Sequence, residues 1–137
     1  MSSRPLRPVP DPDDASAPFW EACSRHELLL QTCAACGMVR FPPRPMCPAC
    51  NGFEVAWKPA SGRGRIWSWV IAHPPVLPAF ADRAPYNVIV VELDEGVRMI
   101  GNLLDTTNDE ISEGMQVEVA WEDVEEAVTL PIWRPAR

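Results

Sequence analysis

Two Cys-x-x-Cys pairs, ten residues apart, constrain this chain more than any other feature of its sequence. The four cysteines are Cys33, Cys36, Cys47 and Cys50. Four thiolates in two such knuckles are typical of a tetrahedral zinc site with no open coordination position. A segment of about 25 residues cannot bury enough apolar surface to fold alone, so the metal supplies the folding free energy. We therefore predict a structural zinc ion, with iron as the alternative for the same sulfur cage.

A redox pair of the thioredoxin type is the other interpretation of a Cys-x-x-Cys motif. It would require a βαβ context with the first cysteine at the start of a helix. The segment between the pairs is rich in proline and offers no such helix. The first ten residues contain no continuous apolar stretch of the kind found in a secretory signal, which predicts a cytoplasmic location where disulfides are rare.

Proline content limits the secondary structure, because 16 of the 137 residues are proline and few helices can form. Residues 1–16 are predicted to form a draped or flexible arm. One short helix is predicted over residues 17–25. Phe19, Trp20 and Cys23 share an apolar face of that helix, so the fifth cysteine is interpreted as a buried apolar residue. Beyond Trp57 the pattern alternates with a period of two, which predicts five strands at residues 65–73, 86–93, 97–104, 116–121 and 129–133.

The intervening segments carry turn signals. The sequence Asp94-Glu95-Gly96 is typical of a hairpin turn, since glycine tolerates a positive φ. Residues 107–112 are predicted to form one helical turn. The acidic run 122–126 is predicted to be a solvated turn between the fourth and fifth strands.

The charge distribution argues against nucleic-acid binding. The net charge is −7, and all of it lies after residue 59, where six arginines and no lysines face thirteen carboxylates. Non-specific binding to nucleic acid depends on neutralising phosphates with basic side chains, so the acidic half is a poor platform. The longest apolar runs are far shorter than the roughly 20 residues of a membrane-spanning helix.

No catalytic motif is visible in the sequence. The two histidines, His26 and His73, lie far apart and outside any recognisable motif, and the Gly62-Arg63-Gly64 segment precedes a strand rather than the helix that a phosphate loop requires. With four sulfur ligands the metal has no water to activate. Two features favour a contact surface instead: an apolar loop over residues 73–81 and six tryptophans. Packing of Trp67 and Trp69 between ribbon and barrel is the alternative explanation.

An ordered set of motifs extends from about residue 15 to 136. It comprises Pro-Phe-Trp-Glu-Ala at 18–22, Leu-Gln-x-Cys-x-x-Cys-Gly at 30–37, Phe-Pro-Pro-Arg-x-x-Cys-Pro-x-Cys at 41–50, Ser-Gly-Arg-Gly-x-Ile-x-Ser-Trp at 61–69, Pro-Tyr at 85–86, Val-Glu-Leu-Asp-Glu-Gly at 91–96, Gly-Met-x-Val-x-Val at 114–119 and Leu-Pro at 130–131. This set resembles the zinc-ribbon and OB-fold family catalogued as domain of unknown function thirty-five. One departure is Arg25-His26, where many members have a small residue.

The resemblance implies a mainly β fold in three parts. An N-terminal arm and helix would occupy residues 1–27, a rubredoxin-like zinc ribbon residues 28–57, and a C-terminal five-stranded OB-fold barrel residues 58–137. The five strands predicted from alternation agree with such a barrel.

The resemblance also implies a function. Members resemble non-catalytic accessory subunits that bind and stabilise a thiolase-superfamily enzyme, a thiolase or a steroid side-chain aldolase, and help to form its acyl-CoA site. We therefore expect a hetero-oligomer in which the reacting groups belong to the partner. An autonomous acyl-CoA-binding protein is the alternative, and a nucleic-acid module a weaker one. The candidate contacts with CoA or the partner are Arg63, Arg65, Trp67, Trp69, Leu77, Phe80 and Arg83.

Overall fold

The computed structural model describes residues 7–125 and 128–136. Residues 1–6 of the predicted arm and Glu126 of the acidic run lie outside them. The described residues form one α-helix, two antiparallel sheets and two short 3-10 helices, so the predicted mainly β class is confirmed. The elements are α1 (Ala17–Ser24), β1 (Leu29–Cys33), β2 (Val39–Arg40), β3 (Val55–Pro59), β4 (Arg63–Ala72), β5 (Tyr86–Leu93), β6 (Arg98–Gly101), β7 (Gln116–Glu125) and β8 (Val128–Pro135), with 3-10 helices at Pro78–Arg83 and Asn108–Glu110.

Helix α1 packs against both sheets, through contacts with β1 and β8. A proline lies in its first turn, where the missing N–H costs nothing. Phe19 and Cys23 are buried on one face, as the spacing predicted, and Trp20 packs beside them. The ring of Phe19 lies 5.4 Å from that of Phe41, which follows β2. The helix therefore packs its apolar face into the same core as the ribbon.

The smaller sheet has the strand order β2-β1-β3. The side chain of Gln31, on β1, forms two hydrogen bonds with the backbone of Arg44. Its Nε2 donates to the Arg44 carbonyl and its Oε1 accepts from the Arg44 N–H, both at 2.8 Å. These two bonds hold the proline-rich segment between the cysteine pairs against the sheet. The chain is thereby fixed in place just before Cys47.

The larger sheet has the order β6-β5-β4-β7-β8 and curls into a nearly closed barrel. A parallel bridge joins Leu103, just after β6, to Trp133 on β8. The buried side chain of Asn87 accepts from the Leu103 N–H at 2.6 Å and donates to the Leu103 carbonyl at 3.0 Å. The predicted five-stranded barrel is confirmed, and its core includes the fully buried indole of Trp133.

Several predicted strand ends differ from the structure, and two of them differ by more than two residues. The predicted third strand over residues 97–104 ends at Gly101, because the chain then leaves β5 and pairs with β8 through Leu103. The prediction of a turn is wrong for residues 122–125 of the acidic run, because β7 continues through Glu125 and pairs Asp123 with Thr129 and Glu125 with Val128. The Asp123 side chain remains 65% exposed there, so strand pairing does not require its desolvation.

Candidate metal centre and contact surfaces

The four predicted ligand cysteines lie together at one end of the ribbon. All four Sγ atoms are within 4.8 Å of one another. The Cys33 and Cys50 sulfurs are 3.6 Å apart, and those of Cys36 and Cys47 are 3.7 Å apart. A tetrahedral ion with metal–sulfur bonds of about 2.3 Å requires sulfur–sulfur distances of roughly 3.8 Å. The arrangement therefore fits a four-cysteine metal site with no position left for water.

Two tight turns bring the sulfurs together. In the first, Gly37 has a φ of +80° and its N–H donates to the Cys33 carbonyl at 2.9 Å. In the second, the left-handed position is taken by Asn51, with a φ of 63°, a conformation that asparagine tolerates better than most residues. A Cβ on Gly52 would lie 3.3 Å from the Cys50 sulfur, so glycine there leaves room for the cage.

Backbone N–H groups interact with three of the sulfurs and favour their thiolate forms. The Cys36 N–H donates to the Cys33 Sγ at 3.4 Å and lowers the pKa of that thiol to about 6. The Cys50 N–H lowers the pKa of Cys47 in the same way. The Gly52 N–H acts to lower the pKa of Cys50, but interactions with the neighbouring cysteines outweigh it and raise that pKa to about 12. Four thiolates this close are mutually repulsive, so a cation is needed for all of them to ionise.

The fifth cysteine is separate from this cage. Cys23 is fully buried in the apolar core, and desolvation raises the pKa of its thiol to about 12. A thiol of that kind stays protonated and unreactive at neutral pH. Its interpretation as a buried apolar residue is confirmed.

The structure places the seven predicted contact residues in three different regions. Arg63 and Arg65 line a polar groove of about 570 Å³ at one end of the barrel, together with Glu92 and Asp94. Trp67 is exposed on the outside of β4, whereas Trp69 is partly buried and packs against the core.

The remaining three contact residues lie in or next to the 3-10 helix Pro78–Arg83. Phe80 and Arg83 line an apolar groove of about 490 Å³, and Leu77 is exposed beside it. Ile100 and Leu104 also line this groove.

The N-terminal arm also lines this apolar groove, which the sequence did not indicate. Pro8 and Pro10 lie along it, and Arg7 forms an ion pair with Glu122 of β7 while its guanidinium sits 5.8 Å above the Phe80 ring. Arg83 approaches the same carboxylate at 3.9 Å. No sequence signal links residues so far apart, since Arg7 looks like part of an aperiodic arm and Glu122 like part of an acidic run.

The two histidines have different surroundings. His26 has a φ of 59°, its ring stacks on Trp121, and its Nε2 lies 3.0 Å from an Asp123 carboxylate oxygen. His73 is exposed just before the Pro74–Pro75 pair. Among residues 7–125 and 128–136, no helix is long and apolar enough to cross a membrane.

Two family models match the chain in succession. Residues 20–56 match the rubredoxin-like zinc ribbon domain of ChsH2, and residues 57–122 match its C-terminal OB-fold domain. A DUF35 domain-containing scaffold protein of Methanothermobacter thermautotrophicus is 38% identical over 74% of this chain and 77% of its own length.

Two longer relatives have hydratase names. The probable enoyl-CoA hydratase alpha subunit of Thermomonospora curvata is 41% identical over 96% of this chain. The 3-oxo-4,17-pregnadiene-20-carboxyl-CoA hydratase alpha subunit of Mycobacterium tuberculosis is 33% identical over 95% of it. This chain spans 40% of the length of each of these relatives.

Two solved structures share the fold. A chain of the Ltp2–ChsH2(DUF35) aldolase superposes with a TM-score of 0.86 at 40% identity, over 93% of this chain and 99% of that one. A DUF35 protein of unknown function from Sulfolobus solfataricus superposes with a TM-score of 0.62 at 11% identity, over 90% of this chain and 86% of that one. The second likeness supports the fold alone.

Proposed function

This chain belongs to the DUF35 family in its ChsH2 form, a zinc ribbon followed by an OB-fold, and we propose that it is a non-catalytic accessory subunit. It binds and stabilises a thiolase-superfamily enzyme of the thiolase or steroid side-chain aldolase type, in the cytoplasm. The observation that carries this proposal is the likeness to a chain of the Ltp2–ChsH2(DUF35) aldolase over almost the full length of both chains. The scaffold name of the archaeal relative supports the same role.

In this proposal the metal is zinc and its role is structural. The four sulfurs at tetrahedral spacing favour zinc, and iron is the alternative that the same ligands accept. A metal ion enclosed by four thiolates holds the two knuckles together and has no position for a reacting group. The chemistry of the assembly therefore belongs to the partner subunit.

The finer part of the proposal is that this chain helps to form an acyl-CoA site. Two hydratase relatives carry CoA thioesters in their names, which supports a ligand of that class. Of the seven candidate contacts, Phe80 and Arg83 are the best placed, because they lie at one groove that combines apolar walls with guanidinium groups. Arg63 and Arg65 remain candidates for phosphate contacts in the separate polar groove.

Co-expression tests the accessory role directly. The chain would be produced with the Ltp2 subunit of the solved aldolase and analysed by size-exclusion chromatography with light scattering. We expect one peak whose mass is that of a complex. Two separate peaks, obtained also with other thiolase-like subunits, would contradict the proposal.

The apolar groove favours one second candidate, an autonomous acyl-CoA-binding protein. Calorimetry of the isolated chain with acyl-CoA thioesters separates the two functions. The accessory role predicts no measurable binding without the partner, whereas the autonomous role predicts saturable binding that Arg83→Ala weakens.

A further inference from the structure

The outer surface of strands β4, β5 and β6 carries a continuous row of aliphatic side chains, which are exposed on β4 and β6 and half-buried on β5. Alternation along β5 turns Ile89 and Val91 into the barrel and leaves Val88 and Val90 on the outside. The register pairs Val88 with Val70 of β4, and Val90 with Ile100 of β6. We call these four outward residues (Val70, Val88, Val90 and Ile100) the outer apolar face.

The two side chains at the edges of this face are exposed over more than half of their surface. Val70 is 63% exposed and Ile100 is 70% exposed. Val88 and Ile100 also line the apolar groove, so the face and the groove form one surface. Single exposed aliphatic residues are ordinary, but contiguous patches of them mark contact sites.

A β-bulge adds an aromatic residue to the same side of the sheet. The register of β4 against β5 shifts between Ile66 and Ser68, so Trp67 opposes no residue of β5 and lies outside, 49% exposed. The guanidinium of Arg98 covers its ring, with Cζ 3.8 Å from the ring centroid. Bulges often redirect side chains next to functional sites, and tryptophan and arginine are enriched among residues that dominate binding energies.

At each end of this surface, two arginines share one carboxylate in ion pairs. At the Trp67 end, Arg65 and Arg98 share Glu92, at 2.7 and 3.4 Å. At the groove end, Arg7 and Arg83 share Glu122. Because each guanidinium offers five N–H donors, two of them present more donors than one carboxylate can accept. Both ends are therefore complementary to further carboxylates.

We infer that the outer apolar face is where the catalytic subunit docks, through a protein surface with an apolar centre flanked by carboxylates. This inference rests on the accessory role proposed above. A second copy of this chain fits the surface poorly, because a two-fold contact of the face with itself would bring arginine-rich ends against each other.

The test measures affinity for the Ltp2 subunit by calorimetry, using variants with one new charge each. Ile100→Asp and Val70→Asp place a carboxylate in the middle of the face, and Phe53→Asp is the matched control, because Phe53 is also 70% exposed but lies on the ribbon. All three side chains project into solvent, and unchanged metal content and melting temperature would verify the fold. We expect the first two variants to bind about tenfold more weakly or worse, and the control to stay within about twofold of the wild type.

These affinities test the docking face and the accessory role separately. Wild-type affinity for Ltp2 that survives both Ile100→Asp and Val70→Asp overturns the inference and leaves the accessory role intact. A wild-type chain that binds no thiolase-like subunit removes both.

Two further measurements test whether a second copy of this chain, or a lipid surface, binds the outer apolar face instead. Sedimentation of the isolated chain as a dimer that Ile100→Asp dissociates would assign the face to a second copy. Binding to vesicles of phosphatidylglycerol and phosphatidylcholine that Ile100→Asp abolishes would assign it to a lipid surface. Either result contradicts the inference.

Discussion

At the scale of single residues, the two glycines of the Ser-Gly-Arg-Gly segment have separate structural roles. Gly62 adopts a φ of +75°, and its carbonyl accepts from the Val119 N–H at 2.7 Å. This turn leads the chain into β4, the first strand of the barrel. Gly64, on β4, pairs with Leu93 of β5, and a Cβ there would be 2.5 Å from the Glu92 carbonyl oxygen. Both glycines therefore serve the barrel, in agreement with the expectation that this segment is not a phosphate loop.

Replacing Gly64 with alanine is expected to destabilise the protein by about 3 kcal/mol, at the upper end of overpacking effects, because the new Cβ would meet the backbone of Glu92 as well as a methyl group of Val91. Gly96→Ala is the control: its Cβ meets nothing within 4 Å, and the cost is only that of a positive φ, about 1–2 kcal/mol. Urea unfolding of both variants checks the difference. Equal midpoints would show that the close approach at Gly64 is unimportant.

Asp123 shows how the wrongly predicted turn residues act in a strand. Its carboxylate accepts from the Thr129 hydroxyl at 2.7 Å and lies 3.0 Å from His26 Nε2. The Thr129 hydrogen bond, assisted by His26, lowers the pKa of Asp123 from its ordinary value of 3.8. A lowered pKa in the folded state means that the contribution to stability is present above pH 3.8 and is lost as the pH falls through the lowered pKa.

The variant Thr129→Val removes this hydroxyl while preserving the shape of the side chain. We expect NMR titration to show the Asp123 pKa rising towards 3.8. The variant should be less stable than the wild type at neutral pH, and the difference in stability should narrow as the pH falls through the lowered pKa, because the Asp123 carboxyl then becomes protonated in both proteins. A difference of equal size at neutral and at acid pH would contradict the assigned partner.

At the scale of elements, alternation of apolar residues predicted the barrel strands well. It did not predict strand ends and bulges that depend on pairing between distant segments. The bounds of β5 were predicted in full, because both of its faces follow the period of two. The bulge at Trp67 and the early end of β6 have no local signal, since each depends on what the neighbouring strand does. The strands of the ribbon were not predicted individually, because metal ligation and the Gln31 bonds, rather than alternation, hold them.

The ribbon's dependence on its metal gives an element-scale prediction. Cys47→Ser should reduce the metal content below one ion per chain and lower the free energy of unfolding by at least about 5 kcal/mol, a fraction of the 10–16 kcal/mol typical of structural zinc. Cys23→Ala is the control, because Cys23 is buried but lies outside the cage. Elemental analysis with thermal unfolding checks both variants and also distinguishes zinc from iron. Full metal content and stability in Cys47→Ser would contradict a structural site.

At the scale of the whole molecule, the ligand cysteines were predictable from spacing alone, whereas the contact surfaces were not. Spacing specifies a metal cage because the ligands are local in sequence, with two residues between the cysteines of each pair. The groove combines the arm, the 3-10 helix and four strands, so its members Arg7, Ile100 and Glu122 could be identified only from the fold. The same applies to the outer apolar face, which requires the register of β4, β5 and β6.

Turnover of an acyl-CoA substrate tests the central claim most directly, measured with the Ltp2 subunit alone, with the two chains together and with this chain alone. The accessory role predicts that this chain alone has no activity above buffer and that its addition raises the rate of the partner. Turnover by this chain alone, abolished by substitution of one of its own side chains, would contradict the claim.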